Sequence, residues 1–344
     1  IIGDGTVSKD YTITAAVNVT HSFSPTLLTE LRLGYNRYRT NVQGIDTTTV
    51  TNQKLGITDP TPDSISSNGM ARIQINGMPG IGTPVYYPLI NTDNLFDIVD
   101  TWSKLSGKHV YKWRVEIHRN RMDRFQPQGL NLGPRGLFQF NPGTTQLNST
   151  DAPGLGSYGS LYNSLASFLL GATDETSRTY MPITPTNRQT QIGAFVQDTY
   201  QVTRNLTLDL GVRYEYYSPV EPRYKGGASN YDPATNSLEV AGYGQIDLAT
   251  GVDAQALNLA PRVGFAYRLG DKSVVRGGYG ISYWTGRFGF TGGTLSTQFP
   301  VIYNIQNGNT GDYIVDGTFG SLPAVQNIPI PSNGIITPAP DQAS

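Results

Sequence analysis

Residues 191–219 read QIGAFVQDTYQVTRNLTLDLGVRYEYYSP, and their polarity alternates with a period of two on both sides of one short turn. Ile192, Ala194, Val196, Tyr200 and Val202 fall on one face; Gln191, Gly193, Gln197 and Thr199 fall on the other. Thr203-Arg204-Asn205 makes the turn. The return carries Leu206, Leu208, Leu210, Val212, Tyr214 and Tyr216 opposite Thr207, Asp209, Gly211, Arg213 and Glu215. Successive side chains of a strand point to opposite faces, so this is a long hairpin with one apolar and one polar face.

The same rhythm recurs on both sides of that stretch. Tyr11 to Phe23 alternates, turns at Ser24-Pro25-Thr26, and returns with Leu27, Thr29, Leu31, Leu33 and Tyr35 against Glu30, Arg32, Gly34 and Asn36. Leu95 to Leu105 turns at Ser106-Gly107-Lys108 and returns with Tyr111, Trp113, Val115 and Ile117 against Lys112, Arg114, Glu116 and His118. Leu259 to Leu269 places Val263, Phe265 and Tyr267 against Arg262, Gly264 and Ala266. After Gly270-Asp271-Lys272 the chain returns with Val275, Tyr279, Ile281 and Tyr283 opposite Arg276, Gly278 and Gly280.

These are strands of roughly 10 to 16 residues, where globular strands usually have about five or six. Crossing a bilayer at a tilt takes roughly 9 to 11. Each hairpin closes with a short turn, and hairpins are separated by long Gly-, Pro-, Asn- and Ser-rich segments, 43–94, 123–187, 218–258 and 285–344. The expected fold is all-β: an antiparallel up-and-down transmembrane β-barrel, or a large part of one, with short turns on one side and long loops on the other. Residues 1–344 are expected to form a single barrel domain. Aromatics gather where two interfacial girdles belong. Phe23, Trp102, Tyr111, Trp113, Tyr200 and Tyr267 lie towards the turns, and Tyr35, Tyr38, Tyr214, Tyr216, Tyr217, Tyr283 and Trp284 towards the long loops.

Composition excludes several classes. Among 344 residues there are 39 Gly and 22 Pro but only 15% charged residues, a balance rich in turn formers. With 25 basic and 26 acidic residues the net charge is -1, so no global field attracts nucleic acid. The absence of Cys removes disulfides and thiolate metal sites. The chain opens Ile1-Ile2-Gly3 without a signal-peptide pattern. Its longest charge-free stretch, 152–173, is too broken by Gly, Ser and Asn for a spanning helix.

The Ala260–Trp284 stretch, APRVGFAYRLGDKSVVRGGYGISYW, and residues 191–219 resemble signature stretches of TonB-dependent receptor barrels of the Oar-like group. SPTLLTELRLGYNR (24–37), SGKHVYKWRVEI (106–117) and LASFLLG (165–171) fit the same pattern in the right order. The resemblance implies an outer-membrane barrel at the bacterial cell surface that surrounds a plug domain and imports scarce ligands with energy passed on by an inner-membrane coupling protein. A plug and an energy-coupling box are not found in the sequence, and its end falls within a long loop. The chain is therefore expected to be an internal portion of a larger barrel.

Local motifs offer little chemistry. Residues 154–159 match G-x-G-x-x-G, but no buried strand precedes them and no acidic residue follows at ribose-binding distance. Asn307 to Asp312 is faintly like a calcium loop and lacks the closing Glu. His21, His109 and His118 show no paired spacing, and no nucleophile elbow or catalytic carboxylate pair stands out. Leu161, Leu165, Phe168 and Leu169 recur at helical spacing, with Ser160 as the expected N-cap and Gly171 as the stop. No enzyme activity, cofactor or metal is expected.

The alternation assigns faces. Arg32, Lys112, Arg114, Glu116, Asp209, Arg213, Glu215, Arg262 and Arg276 are expected to line the lumen. Arg or Lys on the lipid face at mid-bilayer costs about 2–4 kcal/mol. Leu31, Leu33, Val115, Ile117, Val196, Leu208, Leu210, Val212, Phe265 and Ile281 are expected to meet lipid. The inward charges either line a path or grip a plug, or form an ion-pair ladder between neighbouring strands. The rival readings are a structural β-barrel that self-associates into an envelope or extracellular assembly, and a soluble carbohydrate-binding β-sandwich.

Overall fold

The structure, a computed structural model, describes residues 5–45, 50–128, 132–146, 157–284, 298–307, 321–325 and 328–337. In chain order its elements begin with β1 (Thr6–Ser24), β2 (Leu27–Gly44), β3 (Arg72–Ile75), β4 (Leu89–Ser106), β5 (His109–Phe125) and β6 (Leu137–Phe140). They continue with α1 (Ser157–Leu169), β7 (Glu175–Tyr180), β8 (Thr186–Gln201), β9 (Leu206–Tyr217), β10 (Glu221–Pro222), β11 (Ser229–Asp232) and β12 (Ser237–Val240). The last are β13 (Gln255–Arg268), β14 (Val274–Gly280), β15 (Tyr303–Asn307) and β16 (Ile335–Ile336).

One large sheet runs β1-β2-β4-β5-β8-β9-β13-β14, with β10 attached to the start of β8. Every pairing in it is antiparallel, so the order is up-and-down. β1, β2, β4 and β5 contain 19, 18, 18 and 17 residues, more than a bilayer crossing requires. Hairpin turns are tight: Ser106 pairs with His109, and Gly107 takes φ +59, the positive value that the first central position of a type II′ loop requires. The final strand is shorter than its alternation suggests. β14 ends at Gly280, beyond which the Ile281 amide still bonds the Pro261 carbonyl. Among the described residues β1 and β14 are open edges, so the sheet is a barrel wall whose two margins do not meet.

The fully buried apolar residues avoid this wall. Ile57, Met70, Ala71, Ile73, Ile75, Phe138, Phe140 and Leu322 form one cluster, and Met181, Val301 and Ile302 another, all outside the eight long strands. On the wall only Ala260 is both apolar and buried among the described residues. Val17 (56%), Val115 (50%), Val196 (50%) and Val263 (54%) stay open to the surroundings. A sandwich would cover such a face with a second sheet about 10 Å away. Among the described residues nothing covers it.

The segments between hairpins are more structured than their Gly- and Pro-rich composition suggests. β15-β7-β6-β3 form a second, small sheet in which β3 and β6 run parallel. Ile73 and Ile75 alternate with Arg72 and Gln74, so one face of β3 enters the core and the other stays polar. Arg178 is fully buried between strands and is held by Asp59 at 2.6 Å. β11-β12-β16 make a third sheet. The helix is present but starts earlier than its expected cap. Ser160 lies inside α1, and its carbonyl accepts a bond from the Ser164 hydroxyl at 2.8 Å, so it caps nothing. Gly171 does end the helix, with φ +68 and the Ala172 amide bonded back to the Ser167 carbonyl. Of the G-x-G-x-x-G motif, residues 154–156 lie outside the described residues, as do 308–312 of the calcium-like loop.

Phe138→Ala should remove a fully buried ring from the loop core at a cost of about 3–5 kcal/mol. Limited proteolysis of the detergent-folded protein is expected to cut residues 50–85 faster. The heat-dependent gel mobility of the wall, which shares no core with that cluster, should be unchanged.

Candidate functional site: the polar face of the wall

Register fixes which side chains share a face. One row reads Arg32 (β2), Val99 (β4), Glu116 (β5), Gly193 (β8), Glu215 (β9) and Asn258 (β13). The next reads Thr101, Arg114, Phe195, Arg213 and Ala260, and the one after it Lys112, Gln197, Gly211, Arg262 and Gly280. Asp209 pairs with Gly264, and Ala266 with Arg276. All nine residues expected on the polar side therefore share one face of the sheet. The alternate rows carry Leu31, Leu33, Val115, Ile117, Val196, Leu208, Leu210, Val212 and Phe265, with Ile281 continuing the same parity.

At the centre of the polar face is an ion-pair network that crosses a strand. Arg213 on β9 bonds Glu215 at 2.6 Å through Nε, and its Nη2 reaches Glu116 on β5. These strands are not neighbours, since β8 lies between them. The bridge passes over Gly193, where an added Cβ would sit 2.7 Å from Glu116 Oε1 and 3.0 Å from Arg213 Nη2. Glu116 also faces Arg114 at 3.6 Å, and the Tyr217 hydroxyl donates to Glu215 at 2.9 Å. His118 continues the network: Nδ1 pairs with Asp97, and Nε2 lies 4.0 Å from Glu116. Glu116 is among the most enclosed charges of the wall, at 9% exposure. Charge-assisted bonds of this kind offset the cost of shielding it from water.

Below the network lies a concavity of about 580 Å³. Arg114, Arg213, Arg262 and Asp209 supply its charges, and Gly211, Gly264, Gly278 and Gly280 leave its floor without side chains. Arg114 stacks over the Phe195 ring at 5.4 Å and donates to Thr101 at 3.0 Å. Asp209 accepts the Thr199 hydroxyl at 2.6 Å. Lys112, Arg262 and Arg276 form no ion pair among the described residues. The positive charge there exceeds the negative, and the arrangement suits oxygen-rich or anionic groups more than a proton-transfer reaction. Among the described residues no group of His, Asp and Glu could hold a metal ion.

The apolar face carries an aromatic belt near the short turns. Phe23 stacks on Trp102 at 5.3 Å, Trp102 on Trp113 at 5.8 Å, and His109 on Tyr200 at 4.1 Å. Ionic groups occur towards both ends of this face: Arg37, Arg39, Arg119, Arg121 and Arg188 share its parity towards the long connections, and Asp100 and Asp198 lie nearer the turns. Asp100 accepts Trp102 Nε1 and the Thr29 hydroxyl, each at 2.8 Å, and Asp198 pairs with His109 at 2.7 Å. Amphipathic rings with polar tips belong where hydrocarbon gives way to water. At the opposite end the expected girdle needs a correction. Tyr214 and Tyr216 share the apolar face, whereas Tyr38 pairs with Asp93 and Tyr217 with Gln191, on the polar one. Counting aromatics by height alone overlooked their parity. Asp97 as the partner of His118 follows from counting outward along its own hairpin, whereas Asp198 reaches His109 from the next hairpin and has no such signal in the sequence.

An uncovered apolar band, an aromatic belt and an ionic network on the opposite face define the wall of an integral β-barrel. The chain belongs to the outer membrane beta barrel domain family, whose match spans residues 1–344. It is accordingly a protein of the bacterial outer membrane, in a lipid environment. No curated protein matches the chain. Among solved structures it is similar to the ferric-catecholate import receptor Fiu of E. coli K12 in an open form, at 14% identity and TM-score 0.39, over 82% of this chain and 37% of that one. The closed form of the same receptor matches at 13% identity and TM-score 0.39, over 81% and 34%. The chain thus spans little more than a third of those receptor chains.

Two outcomes follow. Val212→Arg, in mid-strand on the apolar face, should cost about 2–4 kcal/mol of folding free energy in lipid vesicles. Gln197→Arg on the opposite face should cost far less; equal costs measured by denaturant titration would reverse the assignment of faces. Gly193→Ala should cost about 1–3 kcal/mol in the wild-type background, because the new methyl displaces the Glu116–Arg213 bridge. In a Glu116→Ala background the same change should cost less, which a double-mutant cycle reads directly.

Proposed function

We propose that this protein is the barrel portion of a receptor-type outer-membrane transporter of TonB-dependent kind, acting by binding and passage and not by catalysis. The supporting observation is the polar face. A purely structural wall has no need of an enclosed Arg–Glu–Arg–His network above a glycine-floored, positively biased concavity. In this reading Arg32, Lys112, Arg114, Glu116, Asp209, Arg213, Glu215, Arg262 and Arg276 line the lumen, where they meet either the passing ligand or a plug domain. The ten residues of the apolar face contact lipid. Energy comes from an inner-membrane coupling protein through that plug. The long connections lie at the cell surface and present the ligand-capturing groups.

A second reading, a structural barrel that self-associates, draws on one observation: β1 is exposed along all of its 19 residues, and open edges recruit further strands. The two readings separate in cells. Deleting the gene from its host and following medium depletion of ferric siderophores, cobalamin, oligosaccharides and peptides by mass spectrometry should reveal one class whose uptake is lost. Collapsing the proton gradient in the parent should reproduce that loss. Unchanged depletion of every class, together with loss of ordered surface arrays under the electron microscope, would establish the structural reading in its place.

A further inference from the structure

A second concavity, of about 500 Å³, lies away from the ionic network, where the small loop sheet meets the start of β1. Its floor is the polar face of the β3–β6 pair: Gln74 and Gln139 are directly paired, and Arg72 precedes them on β3. The opposite face of the same pair is the loop core, with Ile73, Ile75, Phe138 and Phe140 fully buried, so the floor is backed by packed hydrocarbon. Gln74 donates through Nε2 to the Met78 carbonyl at 3.1 Å, and Gln139 through Nε2 to Asn141 at 3.4 Å. Each amide is thereby oriented, and among the described residues no donor occupies its Oε1. The Arg72 guanidinium is anchored on the Gly82 carbonyl at 3.2 Å and lies against Gly80, where any side chain would collide with it.

Tyr86 and Tyr87 supply a wall, with their rings 6.3 Å apart and nearly perpendicular. Tyr86 is 52% exposed. The segment that holds them is pinned from beneath: the buried Arg135 donates to the Tyr87 carbonyl at 2.9 Å and to the Asn68 carbonyl. Burial lowers the Arg135 guanidinium to about 10, still fully charged at neutral pH, so these bonds persist there. Thr6 on the rim has the parity of the wall's polar face.

Oriented amide acceptors and an exposed phenol ring form a set that matches a pyranose: hydroxyls meet the amides, and the ring's C–H face stacks on Tyr86. The volume lies within the range of small-molecule sites, about 300–1,000 Å³. We propose that this concavity is a capture site for a neutral oligosaccharide at the mouth of the wall. The proposal deepens the transporter reading by naming a ligand class, and it rests on that reading only for what happens after capture.

The test is binding by the full chain in detergent micelles, with maltotetraose, cellotetraose and chitotetraose as probes, followed by calorimetry. At least one sugar is expected to bind. Tyr86→Ala and Gln74→Ala should each weaken that binding by tenfold or more, while Tyr231→Ala, an exposed tyrosine on β11, should leave it unchanged. Retained loop protease resistance in each variant shows that the fold survives. Absence of binding for all three sugars, or binding indifferent to Tyr86→Ala and Gln74→Ala, overturns the proposal. Binding as expected without any uptake defect in the deletion strain would uphold the capture site while removing the transporter reading, so the two fail separately.

Discussion

An apolar sheet face with nothing packed against it is stable only where the surrounding solvent is itself hydrocarbon. Water would charge roughly 25 cal/mol for each Å² of that face left uncovered. The long strands satisfy the second demand of such a solvent, because each interior strand bonds both neighbours along most of its length and leaves few amides unpaired. Everything else in the molecule follows from this division of labour. The wall takes its environment from lipid, and the buried protein core moves out to the connections, where water returns and hydrophobic clustering again provides the driving force.

The charged groups obey the same constraint from the other side. Arg114, Glu116, His118, Arg213 and Glu215 gather on the face opposite the apolar band, paired where they are enclosed, while Lys112, Arg262 and Arg276 are left open where space is available. On the apolar face Asp100 and Asp198 sit close to the turns, each with a partner of ring character, and Arg37, Arg39, Arg119, Arg121 and Arg188 sit towards the opposite end. The aromatic belt thus marks the depth at which ionisable groups become tolerable. Tyr38 and Tyr217 share the height of the upper belt without sharing its face, because their parity turns them towards the ionic network.

Much of the wall was legible in the sequence, since alternation and short turns together determine both the faces and the register within each hairpin. The pairing of Trp102 with Trp113, or of Asp97 with His118, follows from counting away from Gly107 and Lys108. Register between hairpins does not follow, because long connections impose no count; the meeting of Glu116 with Gly193 became visible only in three dimensions. The loop sheet was illegible for a related reason. Its strands β3 and β6 are four residues long, too short for periodicity to stand out, and their partnership is parallel and far apart in the chain. The candidate lumen residues were readable as a set, but the network among them and the sugar-sized concavity were not.

Gly193 gives the wall a mechanical property that ordinary ladders lack. A tie between adjacent strands resists their separation but lets a third strand slide beside them. The Arg213–Glu116 contact leaps across the intervening β8, so β5, β8 and β9 are clamped as a single panel. Longitudinal slip of β5 against β9 must first rupture that clasp. By omitting one side chain, the chain acquires a brace at mid-span, and a deformation of the tube would concentrate at the margins of this panel and spare its middle.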